Sequence, residues 1–173
     1  MNDLSGPRLL EKEHYFLDFD CGKQPLNTFL IRHALANQSN DGARTFVVLD
    51  SNVVVGYFSL AASAVLFEDA PERMVKGLAR HPVPVILMPR FAVASSHQGR
   101  GIGKAMYKDA IRRSLYVSRE AAARAFVVQA KDDDARALYS HPEMEAFPNN
   151  PYHFFLLMKD IRLALGISST GLD

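Results

Sequence analysis

Val93-Ala94-Ser95-Ser96-His97-Gln98-Gly99-Arg100-Gly101-Ile102-Gly103-Lys104 decides how this chain reads. An apolar, β-rich run over residues 83–93 enters the stretch, and a helical pattern over residues 102–116 leaves it. Three glycines fall within five residues at the turn between them. Glycine allows positive φ and has no side chain to block an approaching group. A helix N-terminus adds unpaired N–H groups and a partial positive charge. Strand, glycine turn and helix together make a cradle for a pyrophosphate. Gly-x-Gly alone fits an empty strand–helix turn equally well. Here the spacing Gln98-x-x-Gly101-x-Gly103 adds a second constraint. There is no Gly-x-x-x-x-Gly-Lys-Ser/Thr run for a P-loop, and a Rossmann Gly-x-Gly-x-x-Gly belongs near the start of its domain, whereas this turn lies past mid-chain.

Outward from the turn, the chain takes a mixed α/β order. Residues 8–15 suit a short strand after a loose end at about 1–6. Pro25 sits where a first helical turn tolerates it. Leu26, Phe29, Leu30, His33 and Ala34 then recur on one helical face. Residues 45–49 and 53–61 form two β-rich runs around Asp50-Ser51-Asn52, an antiparallel hairpin. Residues 71–80 suit a short helix and 85–94 a buried central strand. Residues 125–130 suit another buried strand. Asp132-Asp133-Asp134 reads as a cap and acidic first turn for a short helix ending near Tyr139. Residues 142–151 read as irregular, 152–158 as a last strand and 159–165 as a short helix before a frayed tail, about 167–173.

The 173 residues suit one domain, and 48% hydrophobic with 23% charged residues is ordinary for a globular protein. No apolar run approaches the roughly 18 residues of a membrane span, and the start has no signal-peptide pattern. One cysteine, Cys21, permits no internal disulfide and argues against a cysteine-based zinc site. It reads best as a small buried residue in a turn. No His/Glu spacing suggests any other metal. These features point to the cytosol.

The net charge of +1 hides an asymmetry. Residues 71–131 carry 12 Lys/Arg against 3 Asp/Glu, while the segments on either side are acidic. The basic third holds the glycine turn. Its charge suits cofactor phosphates, a polyanion such as RNA, or simply solvated helix faces, since Lys104, Lys108 and Arg112 recur every four residues.

Arg90-Phe91-Ala92-Val93, Gln98-Gly99-Arg100-Gly101-Ile102-Gly103 and Ala110-Ile111-Arg112-Arg113 together resemble the acetyl-CoA-binding core of the GNAT N-acetyltransferases. With Phe19-Asp20-Cys21-Gly22 and Ala135-Arg136-Ala137-Leu138-Tyr139, the chain is more narrowly similar to the GNAT toxins of bacterial toxin–antitoxin pairs. The resemblance runs from about residue 10 to 163. It implies a GNAT fold, a central mixed and mostly antiparallel sheet flanked by helices and splayed at the central strand. It implies acetyl-CoA as co-substrate. Backbone at Phe91, Ala92 and Val93 would pair with the pantetheine arm, and Gln98 through Lys104 would hold the pyrophosphate, with Arg100 and Lys104 adding charge. It makes Tyr139 the general acid, since a phenol of reference pKa about 10 is protonated at neutral pH and can donate to a departing thiolate.

The resemblance implies aminoacyl-tRNA as substrate, a ribbon-helix-helix antitoxin as partner, and a homodimer. Arg73, Lys76, Arg80 and Arg90 are then RNA-contact candidates by charge. No residue presents itself as a general base, and His97 is expected to face solvent. The family's Gly-Phe pair after the tyrosine is Glu143-Met144 here, a departure that implies a different bend there. A GNAT enzyme for a small amine or a protein N-terminus is the alternative. A module that binds CoA without chemistry is a third reading.

Overall fold

The computed structural model describes residues 3–140 and 143–167. Seven strands form one sheet in the order β1-β2-β3-β4-β5-β7-β6. The strands are β1 Leu4–Leu9, β2 Arg44–Asp50, β3 Val53–Val65, β4 Val83–Val93, β5 Ala125–Gln129, β6 Glu145–Phe147 and β7 Asn150–Leu157. The helices are α1 Gln24–Thr28, α2 Ala34–Ser39, α3 Glu72–Val75, α4 Ile102–Glu120, α5 Asp133–Tyr139 and α6 Met158–Ala164. The β1–β2, β2–β3, β5–β7 and β6–β7 pairs are antiparallel, and β4–β5 is parallel. This is the mixed, mostly antiparallel sheet flanked by helices of the GNAT fold.

The chain forms two compact units, residues 1–61 with 89–110 and residues 62–88 with 111–173. In the first unit, Gly56 lies where strand and helix come close. A Cβ there would stand 2.7 Å from the Met106 sulfur and 3.3 Å from Ile102 Cγ2. The first-unit core includes Tyr57, Phe58, Leu30 and Met106. Tyr57 donates its hydroxyl to Leu26 O at 2.7 Å, which ties β3 to α1. In the second unit, Met74, Val83, Val85, Ala125, Val127, Phe147, Phe155 and Leu157 pack as one apolar cluster. Burying the Val, Leu, Met and Phe side chains among them stabilises by about 1.5–3 kcal/mol each against an extended-chain reference.

The predicted elements recur with instructive shifts. The first strand lies at Leu4–Leu9, so its start falls within the stretch expected to be loose. The predicted helix is interrupted: Phe29–His33 forms a π-turn between α1 and α2. A wider turn offsets the helical period, and His33, expected on the apolar face, is exposed. The helix predicted at 71–80 stops at Val75. Arg124 donates its Nε to Met74 O at 2.8 Å and its Nη2 to Lys76 O at 2.7 Å, satisfying carbonyls at the end of that helix. A strand, β6, lies within the stretch read as irregular. The tail expected to fray, beyond residue 167, lies outside the described residues, as do His141 and Pro142.

Candidate active site

In the first unit the strand end, the turn and the helix start form one feature. Gly99 and Gly101 have φ of 78° and 82°, and a Cβ on either would meet nothing within 4 Å. Left-handed backbone beside open space is what a turn exposing its amides to a ligand requires. Gly103 differs. A Cβ there would touch Val93 Cγ2 at 3.6 Å and the Phe91 ring at 3.7 Å, so it sits where α4 closes on β4. Ala105 N–H bonds to Gly101 O at 3.1 Å. The N–H groups of Ile102, Gly103 and Lys104 precede that first intrahelical bond, in a turn whose amides have no intrahelical acceptor. Arg100 and Lys104 are exposed beside them.

The strand offers a complementary edge. Parallel pairing of β4 with β5 runs from Val85↔Ala125 to Met88↔Val128 and stops. The next residue, Pro89, has no N–H to extend a ladder. β4 continues to Val93. Ala94 N–H bonds to Val55 O at 2.8 Å, on the β3 side. Backbone groups alternate along a strand, so the N–H groups of Phe91 and Val93 point to the opposite edge, past the end of the β4–β5 ladder.

Gln98 has a more definite task than its spacing suggested. Its Nε2 donates to Val93 O at 3.0 Å and reaches Cys21 O at 3.5 Å. Ser95 N–H bonds to Asp20 O at 2.8 Å. Asp20 Oδ1 in turn accepts from Gly22 N–H and from Asn27 Nδ2, both at 2.9 Å, and these bonds hold its carboxyl below the usual carboxylate range. The Phe19–Gly22 turn is therefore fastened to the end of β4, and the Gln98 side chain serves that joint. Cys21 is half-buried rather than fully buried. Its thiol is pushed up, by burial above all, which suits an inert group and not a nucleophile.

His97 does not project freely into solvent. Its Nε2 lies 2.9 Å from Asp50 Oδ2 and its Nδ1 2.7 Å from Ser96 Oγ. The imidazole pins the turn to the β2–β3 hairpin, a link between residues 47 positions apart that no local spacing signals.

The second unit holds Tyr139. It ends α5, whose N-cap is Asp132, accepting from Ala135 N–H at 2.9 Å, with Asp133 and Asp134 in the first turn. The cap and acidic turn follow the predicted pattern. Tyr139 is buried, at 5% exposure, with its ring centroid 6.3 Å from that of Phe154. Met144, at the family's Gly-Phe position, is buried and Glu143 is exposed.

A sequence model of the acetyltransferase (GNAT) family matches residues 10–141. The chain belongs to the GNAT acetyltransferase family. It is 39% identical, over 96% of its length and 99% of the relative's, to a tRNA-acetylating toxin of Mycobacterium tuberculosis. It is 22% identical, over 86% of its length and 87% of the relative's, to a probable toxin TacT of Sinorhizobium fredii. AtaT complexed with acetyl-methionyl-tRNAfMet superposes with a TM-score of 0.85 at 23% identity, covering 94% of this chain and 99% of that one. AtaTR bound with acetyl-CoA gives 0.83 at 24% identity, covering 95% and 99%. These two likenesses speak for the fold.

The four arginines and lysines picked by charge for RNA separate in this GNAT chain. Arg73 bonds to Glu145 and, at 2.9 Å, to Asp160, and these two carboxylates raise its pKa. It braces α3 to β6 and α6. Lys76 and Arg80 are exposed in the segment after α3, with the Arg80 guanidinium 5.1 Å from the Phe67 ring and 3.8 Å from Glu68. Arg90 is half-buried, its guanidinium carbon 3.6 Å from the Phe29 ring centroid. Among the described residues no group of three or more His, Cys, Asp or Glu is placed to hold a metal, and no helix is long and apolar enough to cross a membrane.

Proposed function

We propose that this chain is an acetyl-CoA-dependent toxin that acetylates the amino group of aminoacyl-tRNA in the cytoplasm and so blocks translation. The 39% identity to a tRNA-acetylating toxin over 96% of the chain carries the reading. The cradle supports it. Amides of residues 99–104 receive the pyrophosphate, with Arg100 and Lys104 adding charge. The pantetheine arm runs back from the turn along the edge of β4 beyond its pairing with β5, with Phe91, Ala92 and Val93 as its strand partner. It meets the N–H of Val93 first and that of Phe91 further from the phosphates. Phe91 N–H is then the donor placed for the thioester oxygen as negative charge develops there.

Transfer forms the amide C–N bond and breaks the thioester C–S bond. Tyr139 donates its phenolic proton to the departing thiolate, the amine's surplus proton leaves to solvent, and Tyr139 regains a proton from solvent, so the step is proton-neutral. The α-amine of an aminoacyl ester has a pKa below that of an ordinary amino terminus, about 8, so much of it is already neutral and no strong base is needed. Lys76, Arg80 and Arg90 face the tRNA, while Arg73 works within the fold. A ribbon-helix-helix antitoxin neutralises the enzyme, which acts as a homodimer. A tyrosine-to-phenylalanine mutant of the AtaT toxin bound to the C-terminus of the antitoxin AtaR, at TM-score 0.81 and 22% identity, provides the precedent in fold.

The test is incubation with labelled acetyl-CoA and total charged tRNA. Label should enter aminoacyl-tRNA, and Tyr139→Phe should cut turnover by about 10²-fold or more with acetyl-CoA still bound. Transfer to small amines or peptides but not to charged tRNA would refute the substrate. An unaffected Tyr139→Phe enzyme would refute the acid.

A further inference from the structure

Arg90 is the one member of the charge-picked set that lies on β4 itself, next to Phe91. Its surroundings are unusual for a cation. Its guanidinium lies over Phe29 in the π-turn, at 3.6 Å. Phe29 stacks on Tyr57 with centroids 6.3 Å apart and planes at 24°, and Phe19 meets Tyr57 edge-on at 5.5 Å. An aromatic cluster thus lies against the guanidinium. Among the described residues no hydrogen bond or ion pair occupies its N–H groups. Burial lowers its pKa. A half-desolvated guanidinium has five planar donors, arranged to take an anion's oxygens in pairs. Nothing about packing alone requires a charge here, since a methionine would cover Phe29 as well.

The position selects the anion. Residues alternate across the strand. A Cβ added at Gly103 of α4 would meet the Phe91 ring at 3.7 Å, so Phe91 faces α4, while Arg90 turns to the Phe29 side. The cofactor cradle is on α4, which leaves the Arg90 face for the acceptor. A guanidinium stands roughly 6–7 Å from its own Cα by standard bond lengths, so that of Arg90 lies about that far from the thioester donor at Phe91. In an aminoacyl ester of adenosine, eight bonds separate the reacting amine from the 5′-phosphorus, a span on the order of 8–10 Å.

We infer that Arg90, held over Phe29, is the receptor for the 5′-phosphate of the terminal, aminoacylated nucleotide, and so sets the reach of the amine to the thioester. This rests on the aminoacyl-tRNA reading above. The same chemistry would suit a CoA phosphate, and the experiment separates the two.

The substrates are aminoacyl-adenosine and its 5′-phosphate, carrying the amino acid that charged tRNA reveals. The variants are Arg90→Met, which keeps an apolar stem over Phe29, and Arg90→Lys, which keeps a charge without the planar fork. Thermal melting confirms folding. For the wild type the 5′-phosphate should raise kcat/KM by about 10- to 100-fold, the range for a charge-assisted hydrogen-bonded pair. For Arg90→Met that ratio should fall to about one, with Arg90→Lys between, while acetyl-CoA affinity by calorimetry holds. Equal losses on both substrates, or a drop in acetyl-CoA affinity, overturn the assignment while leaving the function standing. Failure of the wild type to acetylate aminoacyl-tRNA at all overturns both.

Discussion

Two neighbouring glycines of the turn should respond to alanine in opposite ways. At Gly101, φ is 82° and the space beyond is open. Alanine meets no clash there, but left-handed backbone costs an L-residue about 1–2 kcal/mol. The stiffer unfolded chain returns about 0.4–1 kcal/mol, leaving a net loss near 1 kcal/mol. At Gly103 the backbone is helical, and a Cβ would make ordinary contacts of 3.6–3.7 Å with Val93 and Phe91. Alanine gains about 0.5–1 kcal/mol over glycine in a helix. For a chain of this size 1 kcal/mol moves Tm by roughly 2–4 °C. Gly101→Ala should therefore melt about 2–4 °C below wild type, and Gly103→Ala about 1–4 °C above it.

Ligand binding divides them again. The new methyl at 101 occupies the open space from which a phosphate approaches, and acetyl-CoA affinity should fall at least about tenfold, or 1.4 kcal/mol. The methyl at 103 points at side chains of β4, and the loss should stay under about threefold. Melting curves and calorimetric titration measure both. A Gly103→Ala protein that melts below wild type, or a Gly101→Ala protein that binds acetyl-CoA normally, would refute the division of labour drawn here.

Two further outcomes follow from charges away from the turn. His153 is half-buried and edge-on to Phe147, centroids 5.7 Å apart, and desolvation lowers its pKa. The folded state then binds fewer protons than the unfolded one. The resulting stability is present above the unfolded value near 6.5 and is lost as pH falls through the lower folded value. Tm should drop between about pH 7 and 5 more steeply for wild type than for His153→Phe, and parallel curves would refute the cause. Arg73→Met should lower Tm at low salt, with a smaller difference at high salt because the broken pairs are partly exposed. Its tRNA affinity should match wild type, and weaker tRNA binding without a change in melting would return Arg73 to the RNA surface.

Much of this protein was legible because its informative signals are local. A cap three residues from its acceptor, a two-fold alternation and glycines at fixed spacing leave their mark within a few positions, and α5, β4, β5 and the turn followed. The π-turn at Phe29–His33 left no such mark. It inserts into an otherwise regular helical period, and only the exposure of His33 shows that the phase had shifted. β6 is three residues long, too short for alternation to register, and its pairing is set by β7. The Gln98 joint and the Asp50–His97 link involve partners 77 and 47 positions apart. Spacing singled out Gln98 but gave no hint that its side chain fastens backbone.

Charge shows most clearly where counting stops being informative. The basic third of the chain invites an RNA reading by number alone, yet its cations have different employments. Arg73 is neutralised by two carboxylates, and Arg124 is spent on the carbonyls of Met74 and Lys76. Lys104, Lys108 and Arg112 are exposed along α4. Arg90 combines partial burial with aromatic support, and no anion among the described residues pairs with it. A cation left in that condition is stabilised when an anion arrives, whereas a solvated lysine gains little. The number of positive charges can draw a polyanion toward the surface, but the geometry of one guanidinium decides where a particular phosphate comes to rest.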